Sequence, residues 1–298
     1  MRSGLSSRGV RAVLGLAVMM AGGGAARAAA VGEALSRALG QALRQTQASA
    51  VVVDLTTGRV LATAGTPGRG DLESGTGSAL GSGLEPATGS AVKPLLLEYA
   101  LEHGIVSAQT EVYCRRNLHV GGRALPCTHP ADDPVFTAER ALAESCNTWF
   151  AAMARRFTGP ELEAALSEAG IAHAAMNAAD AEKRQLAVLG LAGVTASPLE
   201  LARAYAELLR RAPADGPVMR GLEDSVKFGM ADAAAVKGVR ILGKTGTASD
   251  GGEAWTHGWF AGAIPGRLVL VVYVPHGDGG TAARLAQRFF QAVATEGQ

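Results

Sequence analysis

The sequence of 298 residues has few aromatic side chains and almost no net charge. Only 5% of its residues are Phe, Trp or Tyr, which leaves little material for a platform that stacks sugars or nucleobases. A formal charge of +1 gives no long-range field that would attract nucleic acid or acidic lipids, so we expect no nucleic-acid partner. With 48% hydrophobic and 18% charged residues, the composition is that of a globular protein.

A long hydrophobic run is missing at the N-terminus as well. Residues 12–21 are apolar, but three glycines follow them, and a bilayer-spanning helix needs about 20 apolar residues. Arginines precede this run and Ala26-Arg27-Ala28 ends the small-residue stretch behind it. This order predicts a secretory signal peptide over residues 1–28, with an uncleaved membrane anchor as the alternative. We expect the remaining domain, residues 29–298, to be exported and to work in the periplasm or another extracytoplasmic compartment.

Cysteine is scarce: the sequence contains only Cys114, Cys127 and Cys146. An oxidising compartment favours a disulfide, and Cys114 with Cys127 is the pair that we predict. Because His119 and His129 lie in the same stretch, a zinc site of Cys114, His119, Cys127 and His129 is an alternative, although this spacing matches no common zinc motif. Free thiols are the third possibility. We expect no metal and no cofactor, but the sequence leaves open whether Cys114 and Cys127 pair or bind zinc.

Strand-like segments stand at both ends of the domain and helical ones between them. Residues 50–55 and 59–63 read as one hairpin, and residues 257–264 and 267–274 read as a second hairpin around Pro265-Gly266. Helical spacing marks the segments Leu95–Leu101, Thr137–Phe157, Glu161–Ala169, Pro198–Leu209 and Thr281–Thr295. We see no repeat that would indicate a solenoid. The sequence predicts an α/β (α+β) fold, in which helices flank an antiparallel sheet and an all-helical lobe is inserted, with a cleft between the two parts.

Chemistry is first indicated in the segment EPATGSAVKP, where Ser90 and Lys93 stand three residues apart. On a helix this spacing places both on one face. Pro94 is tolerated only near a helix start, so Ser90 is expected at or beside the helix N-terminus. A serine becomes a good nucleophile when a base takes its proton, and Lys93 can do so if burial or a neighbouring cation keeps it neutral.

A second polar group, Ser145-Cys146-Asn147, interrupts an apolar helical pattern in ALAESCNTWF. At a helix start or in a loop facing the cleft, Ser145 could pass a proton to a leaving group while Asn147 holds Lys93 and a substrate amide. A local cap or a buried hydrogen bond is the structural alternative.

The third group is Lys244-Thr245-Gly246-Thr247, before the last hairpin. Residues 238–245 formally fit a phosphate loop, but such a loop follows a strand and opens a helix, and neither flank fits here. Residues 239–242 read instead as a strand. Gly246 is expected to leave room for a substrate backbone along the strand edge.

In this order, the three groups resemble the signature motifs of penicillin-binding proteins and serine β-lactamases. EPATGSAVKP is similar to the family's EPGSTFKP block, and ILGKTGTA with HGWFAGAIP is similar to its final strands. The resemblance runs from about Ala50 to the C-terminus and is strongest to transpeptidase domains. It implies a penicillin-binding, transpeptidase-like fold for residues 29–298.

The resemblance also implies a role for each motif residue. Ser90 is the acylated nucleophile, Lys93 its base, and Ser145 and Asn147 serve proton relay and positioning. Lys244 supplies positive charge for the substrate carboxylate and helps to keep Lys93 neutral. The Thr245 and Thr247 hydroxyls are hydrogen-bond partners of the substrate. The backbone amides of Ser90 and Thr247 form the oxyanion hole.

The expected reaction is D,D-transpeptidation of D-Ala-D-Ala stem peptides of peptidoglycan, with covalent binding of β-lactams and cell-wall assembly proteins as possible partners. D,D-carboxypeptidase and serine β-lactamase activities are alternatives. A β-lactamase needs a group that activates water. Glu161 resembles only weakly the glutamate that does this in class A β-lactamases. A non-enzymatic sensor or scaffold that binds β-lactam or peptidoglycan is the alternative outside enzymology.

Overall fold

The computed structural model describes residues 29–65, 85–130, 132–176, 180–249 and 254–295. The signal peptide expected over residues 1–28 lies outside these ranges. Within them, no helix combines the length and the apolar character that a membrane crossing requires.

The described elements form a central five-stranded sheet, helices on its two faces and three short two-stranded sheets. In chain order they are α1 (29–42), β1 (Ser49–Asp54), β2 (Val60–Gly65), α2 (Lys93–Glu102), β3 (Val112–Tyr113), β4 (His119–Val120), β5 (Arg123–Ala124), β6 (Val135–Phe136), α3 (Ala138–Ala143), α4 (Asn147–Ala154), α5 (Gly159–Glu168), β7 (Ala172–His173), α6 (Ala181–Val188), β8 (Val194–Thr195), α7 (Pro198–Arg211), α8 (Pro217–Lys227), β9 (Leu242–Ala248), β10 (His257–Ile264), β11 (Leu268–Val274) and α9 (Gly279–Thr295).

The central sheet has five strands in the order β2-β1-β11-β10-β9, and every neighbouring pair is antiparallel. Strands from the two ends of the domain therefore meet at the β1–β11 contact, with most helices inserted between them. Both predicted hairpins are confirmed. Each turn carries a glycine with positive φ, Gly58 at +69° and Gly266 at +71°, where a side chain would be strained.

Alternation along the strands divides the core into two layers, because successive side chains point to opposite faces of a sheet. On β11, Val269, Val271 and Tyr273 pack with the helical lobe around α2, α4 and α7. The intervening Leu270 and Val272 pack on the other face, against α1 and α9. The sheet is thus buried on both sides, and β9 is left at one of its edges.

Two local predictions differ from the structure. The helical pattern over residues 137–157 is broken between α3 and α4, because Ser145 adopts φ +55°, which a right-handed helix cannot contain. The predicted strand over 239–242 is also wrong. The strand begins at Leu242 and continues through the Lys-Thr-Gly motif, so Lys244 lies inside a strand and not in a phosphate loop.

Candidate active site

Ser90 lies in a 3-10 turn, Gly89–Val92, that leads directly into α2. Pro94 occupies the first turn of α2, as expected, since no helical partner is needed there for an amide hydrogen. Between Pro86 and Ala100, Ser90 is the one residue that is not buried. The turn therefore presents Ser90 at the surface of an otherwise closed core.

Buried polar aromatic side chains hold the backbone on both sides of Ser90. The His257 Nε2 and the Trp259 Nε1 donate hydrogen bonds of 2.7 and 2.9 Å to the Ala87 carbonyl. The Tyr205 hydroxyl donates to the Ala91 carbonyl at 2.7 Å. Sequence reasoning missed these positioning residues, although polar rings in buried β10 and α7 were a signal that could have found them.

The turn also packs closely against β9. Gly89 has φ +53°, and a Cβ at this position would lie 2.7 Å from the Thr247 carbonyl oxygen. A Cβ at Gly246 would lie 2.6 Å from the Thr88 carbonyl oxygen. Gly246 is therefore required for the contact between β9 and the Ser90 turn, which is a different reason from the substrate clearance predicted for it.

The segment Ser145-Cys146-Asn147 forms the turn between α3 and α4. The Cys146 amide donates to the Ala141 carbonyl at 2.9 Å and closes α3, while Asn147 begins α4. The left-handed conformation of Ser145 directs both its carbonyl and its hydroxyl towards Lys93. Of the two expected positions, a helix start or a loop, the structure shows a short turn that leads into the start of α4.

Lys93 is fully buried, and its ammonium group has three acceptors. Its Nζ lies 2.7 Å from Asn147 Oδ1, 3.1 Å from the Ser145 carbonyl and 3.2 Å from Ser145 Oγ. It also lies 5.0 Å from the centre of the Phe150 ring. Burial lowers the pKa of Lys93 to about 8, against the opposing effect of the Cys146 and Cys127 thiols nearby. A substantial neutral fraction is thus available near neutral pH.

Lys244 reaches the same hydroxyl from β9. Its Nζ donates to Ser145 Oγ at 2.8 Å and to the Thr245 carbonyl at 3.0 Å. Burial holds the pKa of Lys244 well below its ordinary value, and the Lys93 charge lowers it further. Both lysines thus contact the Ser145 hydroxyl. For Lys93, burial and not the charge of a neighbouring lysine is the main cause of the lowered pKa.

The two threonines of the third motif point to different environments. Thr245 is buried, and its hydroxyl donates to the Met230 carbonyl at 3.1 Å. This contact inside the protein does not support the predicted contact of Thr245 with the substrate. Thr247 is exposed, and its Oγ1 accepts from the Gly279 amide at 2.9 Å. The Ser90 turn packs on the face of β9 towards which a Gly246 side chain would point, and among the described residues β9 has a sheet neighbour along one edge only.

The cysteines do not form the predicted disulfide. Cys114, Cys127 and Cys146 are free buried thiols, and the Cys127 sulfur lies 3.9 Å from that of Cys146. His129 completes this cluster, whereas His119, the histidine of the alternative zinc site, is exposed on β4. Cys146 joins them because the turn between α3 and α4 brings it against the two segments that carry Cys114 and Cys127.

Comparison with known protein families finds a match along most of the chain. The family described as "Penicillin binding protein transpeptidase domain" matches residues 48–214 and 217–295. No curated protein sequence matches the chain.

Solved structures resemble the fold. The D,D-transpeptidase domain of the peptidoglycan glycosyltransferase of Eggerthella lenta superposes with TM-score 0.70 at 20% identity, over 89% of this chain and 81% of that chain. For penicillin-binding protein 2 of Pseudomonas aeruginosa the values are 0.72 and 20%, over 88% and 74%. For the transpeptidase domain of penicillin-binding protein 3 of Burkholderia pseudomallei they are 0.69 and 18%, over 91% and 94%.

Proposed function

Because the chain belongs to the penicillin-binding protein transpeptidase family, we propose that it is a peptidoglycan D,D-transpeptidase that works through an acyl-Ser90 intermediate. The substrate is the D-Ala-D-Ala end of a stem peptide, and penicillin and other β-lactams acylate the same serine. The export signal pattern of residues 1–28 and the location of peptidoglycan outside the cytoplasm support an extracytoplasmic site of action, with proteins of cell-wall assembly as partners.

One observation carries the proposal: a single hydroxyl, that of Ser145, lies within hydrogen-bond distance of both Lys93 Nζ and Lys244 Nζ. Lys93 is one helical turn from Ser90 along the chain, and Lys244 lies on the strand that packs against the Ser90 turn. These positions support Lys93 as the base and Ser145 as the proton relay for Ser90.

In the acylation step, the Ser90 oxygen attacks the carbonyl carbon of the D-Ala-D-Ala amide, and its proton passes to neutral Lys93. The C–N bond to the terminal residue then breaks. The departing nitrogen takes a proton that reaches it from Lys93 through the Ser145 hydroxyl. D-alanine leaves, and the acyl group remains on Ser90 as an ester.

In the transfer step, the amine of a second stem peptide attacks this ester. Lys93 accepts a proton from the amine and returns one to the Ser90 oxygen, so the serine is regenerated and a new amide cross-link forms. The Ser90 and Thr247 amides are the proposed oxyanion hole in both steps, and the close packing of Thr247 on Gly89 brings these two backbones together.

The third motif serves substrate binding. The free edge of β9 can accept an extended peptide as an additional strand. Exposed Thr247 is a hydrogen-bond partner for the terminal carboxylate, and Lys244 is its charge partner. An arriving carboxylate favours the protonated form of Lys244, so the charge is restored when the substrate binds.

The first test is labelling with a fluorescent penicillin followed by denaturing electrophoresis and peptide mapping. We expect one adduct, on Ser90, and its complete loss in Ser90→Ala. Ser167→Ala, which removes an exposed serine hydroxyl on α5, is the matched control and should label like the wild type. Labelling of Ser90→Ala, or an adduct on another residue, would refute the acyl-Ser90 mechanism.

D,D-carboxypeptidation shares the acylation step and differs only in that water replaces the acceptor amine. Incubation with a stem peptide, with and without an acceptor amine, separates the two by the mass of the product. A β-lactam sensor would label at Ser90 but would release no D-alanine from the peptide.

A further inference from the structure

Four buried side chains outside the proposed reaction converge on one point. The ligand atoms of Cys114, Cys127, His129 and Cys146 all lie within 4.8 Å of one another. They come from three separate places in the fold: the segment after β3, the loop after β5, and the turn between α3 and α4. Single buried cysteines are common, so it is the convergence of three thiols and one imidazole, and not their burial, that indicates a ligand site.

Two of the separations between these atoms match those of a tetrahedral zinc site. With Zn–S of about 2.3 Å and Zn–N of about 2.0 Å, tetrahedral geometry puts two sulfurs about 3.8 Å apart and a sulfur and a nitrogen about 3.5 Å apart. The Cys127 and Cys146 sulfurs are 3.9 Å apart, and the Cys114 sulfur is 3.4 Å from His129 Nε2. A disulfide would need about 2.0 Å between sulfurs and would leave one of the three cysteines unused.

The histidine has the tautomer that a metal requires. His129 Nδ1 lies 2.8 Å from the Pro130 carbonyl, which can only accept, so Nδ1 carries the hydrogen and Nε2 keeps its lone pair for a metal. Behind it, Glu144 Oε2 is buried, lies 3.6 Å from Nδ1 and has no hydrogen-bond partner. A carboxylate behind a ligating histidine is a common outer shell of zinc sites.

The surroundings also suit sulfur in its thiolate form. The Arg116 amide donates to the Cys114 sulfur at 3.4 Å. The Thr148 hydroxyl lies 3.5 Å from the Cys114 sulfur and 3.6 Å from that of Cys127. The amide can stabilise a Cys114 thiolate. The Thr148 hydroxyl accepts from the Cys114 thiol, and once that proton is lost it can turn its own hydrogen towards one of the two sulfurs.

We propose that Cys114, Cys127, His129 and Cys146 bind one Zn²⁺ in a closed, structural Cys3His site. Each thiol releases its proton to solvent when the metal binds, and no coordination position is left for a substrate. Because Cys146 stands between Ser145 and Asn147, the metal fixes the turn that holds Lys93 to the loop of Cys127 and His129. The site is a positioning device for the second motif and does not depend on which reaction Ser90 performs.

The direct test measures metal in the intact chain, purified without chelator after growth with zinc. Elemental analysis should give about one zinc per chain, and X-ray absorption should show three sulfurs and one nitrogen around it. Cys146→Ser and His129→Ala should lose the stoichiometric zinc. The control, His119→Ala, removes the exposed histidine of the same region and should retain it. Cobalt exchanged for zinc should give the visible absorption of a tetrahedral thiolate complex.

The outer shell provides a second measurement that does not require a ligand to be removed. Glu144→Gln should weaken zinc binding about 10- to 100-fold while the chain stays folded. Folded wild-type protein that stays zinc-free when zinc is supplied, with three thiols open to alkylation after unfolding, would overturn the proposal. A disulfide between any two of these cysteines in freshly purified protein, found by mass spectrometry, would overturn it as well.

Discussion

At the scale of single residues, two opposing effects act on Lys93. Three acceptors surround its Nζ and favour the ammonium form, because each of them pairs with one hydrogen. Complete burial favours the neutral amine, since the charged form loses its hydration. Burial is the larger effect and also outweighs the Cys146 and Cys127 thiols, which raise the pKa, so the pKa of Lys93 falls from 10.5 to about 8. The acceptors nevertheless keep the group in one position, which is what a general base requires.

This balance predicts the pH dependence of acylation. Only the neutral amine can take the Ser90 proton, and its fraction rises as pH increases through the pKa of Lys93, about 8. The acylation rate by penicillin should therefore increase between about pH 6 and pH 10, with a midpoint near the pKa of this lysine. Rapid mixing of enzyme and fluorescent penicillin at a series of pH values measures the profile.

The matched variants are Lys93→Arg and Lys237→Arg. A guanidinium remains protonated at every pH used, so Lys93→Arg should acylate about 10²- to 10⁴-fold more slowly. Lys237 is exposed, and its replacement should leave the profile unchanged. A wild-type rate that is flat or falls across this range, or normal acylation by Lys93→Arg, would remove Lys93 from the role of base.

At the scale of elements, the site depends on how closely β9 approaches the turn that carries Ser90. Added Cβ atoms at Gly89 and Gly246 would each lie under 3 Å from the backbone of the facing segment. Contacts this short are not relieved by a rotamer change, because backbone atoms stand on both sides. The two glycines therefore set the distance between Ser90 and the third motif.

Gly246→Ala tests this contact. The methyl group should force β9 and the turn apart, lowering the free energy of unfolding by about 1–3 kcal/mol and slowing acylation at Ser90. Gly40→Ala is the control, because that glycine lies in α1 with no atom within 4 Å of an added Cβ. It should stabilise the protein by about 0.5–1 kcal/mol. Denaturant unfolding and penicillin labelling give the two readouts, and an unchanged acylation rate in Gly246→Ala would contradict this account.

Elements with strong local signals were predictable. The hairpins around Gly58 and Gly266 follow from turn residues and strand patterns, and Pro94 located the start of α2. The polar residues around Ser145 indicated an interruption of the helical pattern, but the left-handed conformation of Ser145 was not predictable, because nothing local requires φ +55° there. The tertiary contact with Lys93 explains that conformation better than any propensity of the sequence.

At the scale of the whole molecule, the site combines residues that are distant in the chain. Lys93 and Ser145 are 52 positions apart, and Ser145 and Lys244 are 99 apart. The motif residues were predictable from the resemblance, but side-chain direction was not. Thr245 lies on the face of β9 opposite to Lys244, since successive residues of a strand face opposite sides of the sheet, and its hydroxyl donates to the Met230 carbonyl. The contact of Cys146 with Cys114 and Cys127 was not predictable from the sequence either, since it arises only from the packing of the helical lobe.

Three carboxylates of the described residues that could be considered for activating water have partners in the fold. Glu161 Oε2 accepts from the Thr158 amide and hydroxyl, both at 2.7 Å, as a capping box at the start of α5. Glu144 accepts from Arg140 and faces His129. Glu85 is paired with Glu200, and burial together with this second carboxyl raises the pKa of Glu85 to about 7. Each of these acids serves a structural contact.

The last prediction concerns the fate of the acyl-enzyme and follows from the structural contacts of these three glutamates. A transpeptidase keeps water from the Ser90 ester until an amine arrives, whereas a β-lactamase positions water with a base. We therefore expect a long-lived penicilloyl-Ser90 and negligible β-lactam turnover. Time-resolved mass spectrometry after a single addition of penicillin measures both the lifetime of the adduct and the turnover. Glu161→Gln changes the residue that most resembles the β-lactamase glutamate, and it should leave the lifetime of the adduct unaltered. Rapid loss of the adduct with many equivalents of penicillin hydrolysed would make the chain a β-lactamase, and a lifetime that lengthens in Glu161→Gln would identify that residue as the base.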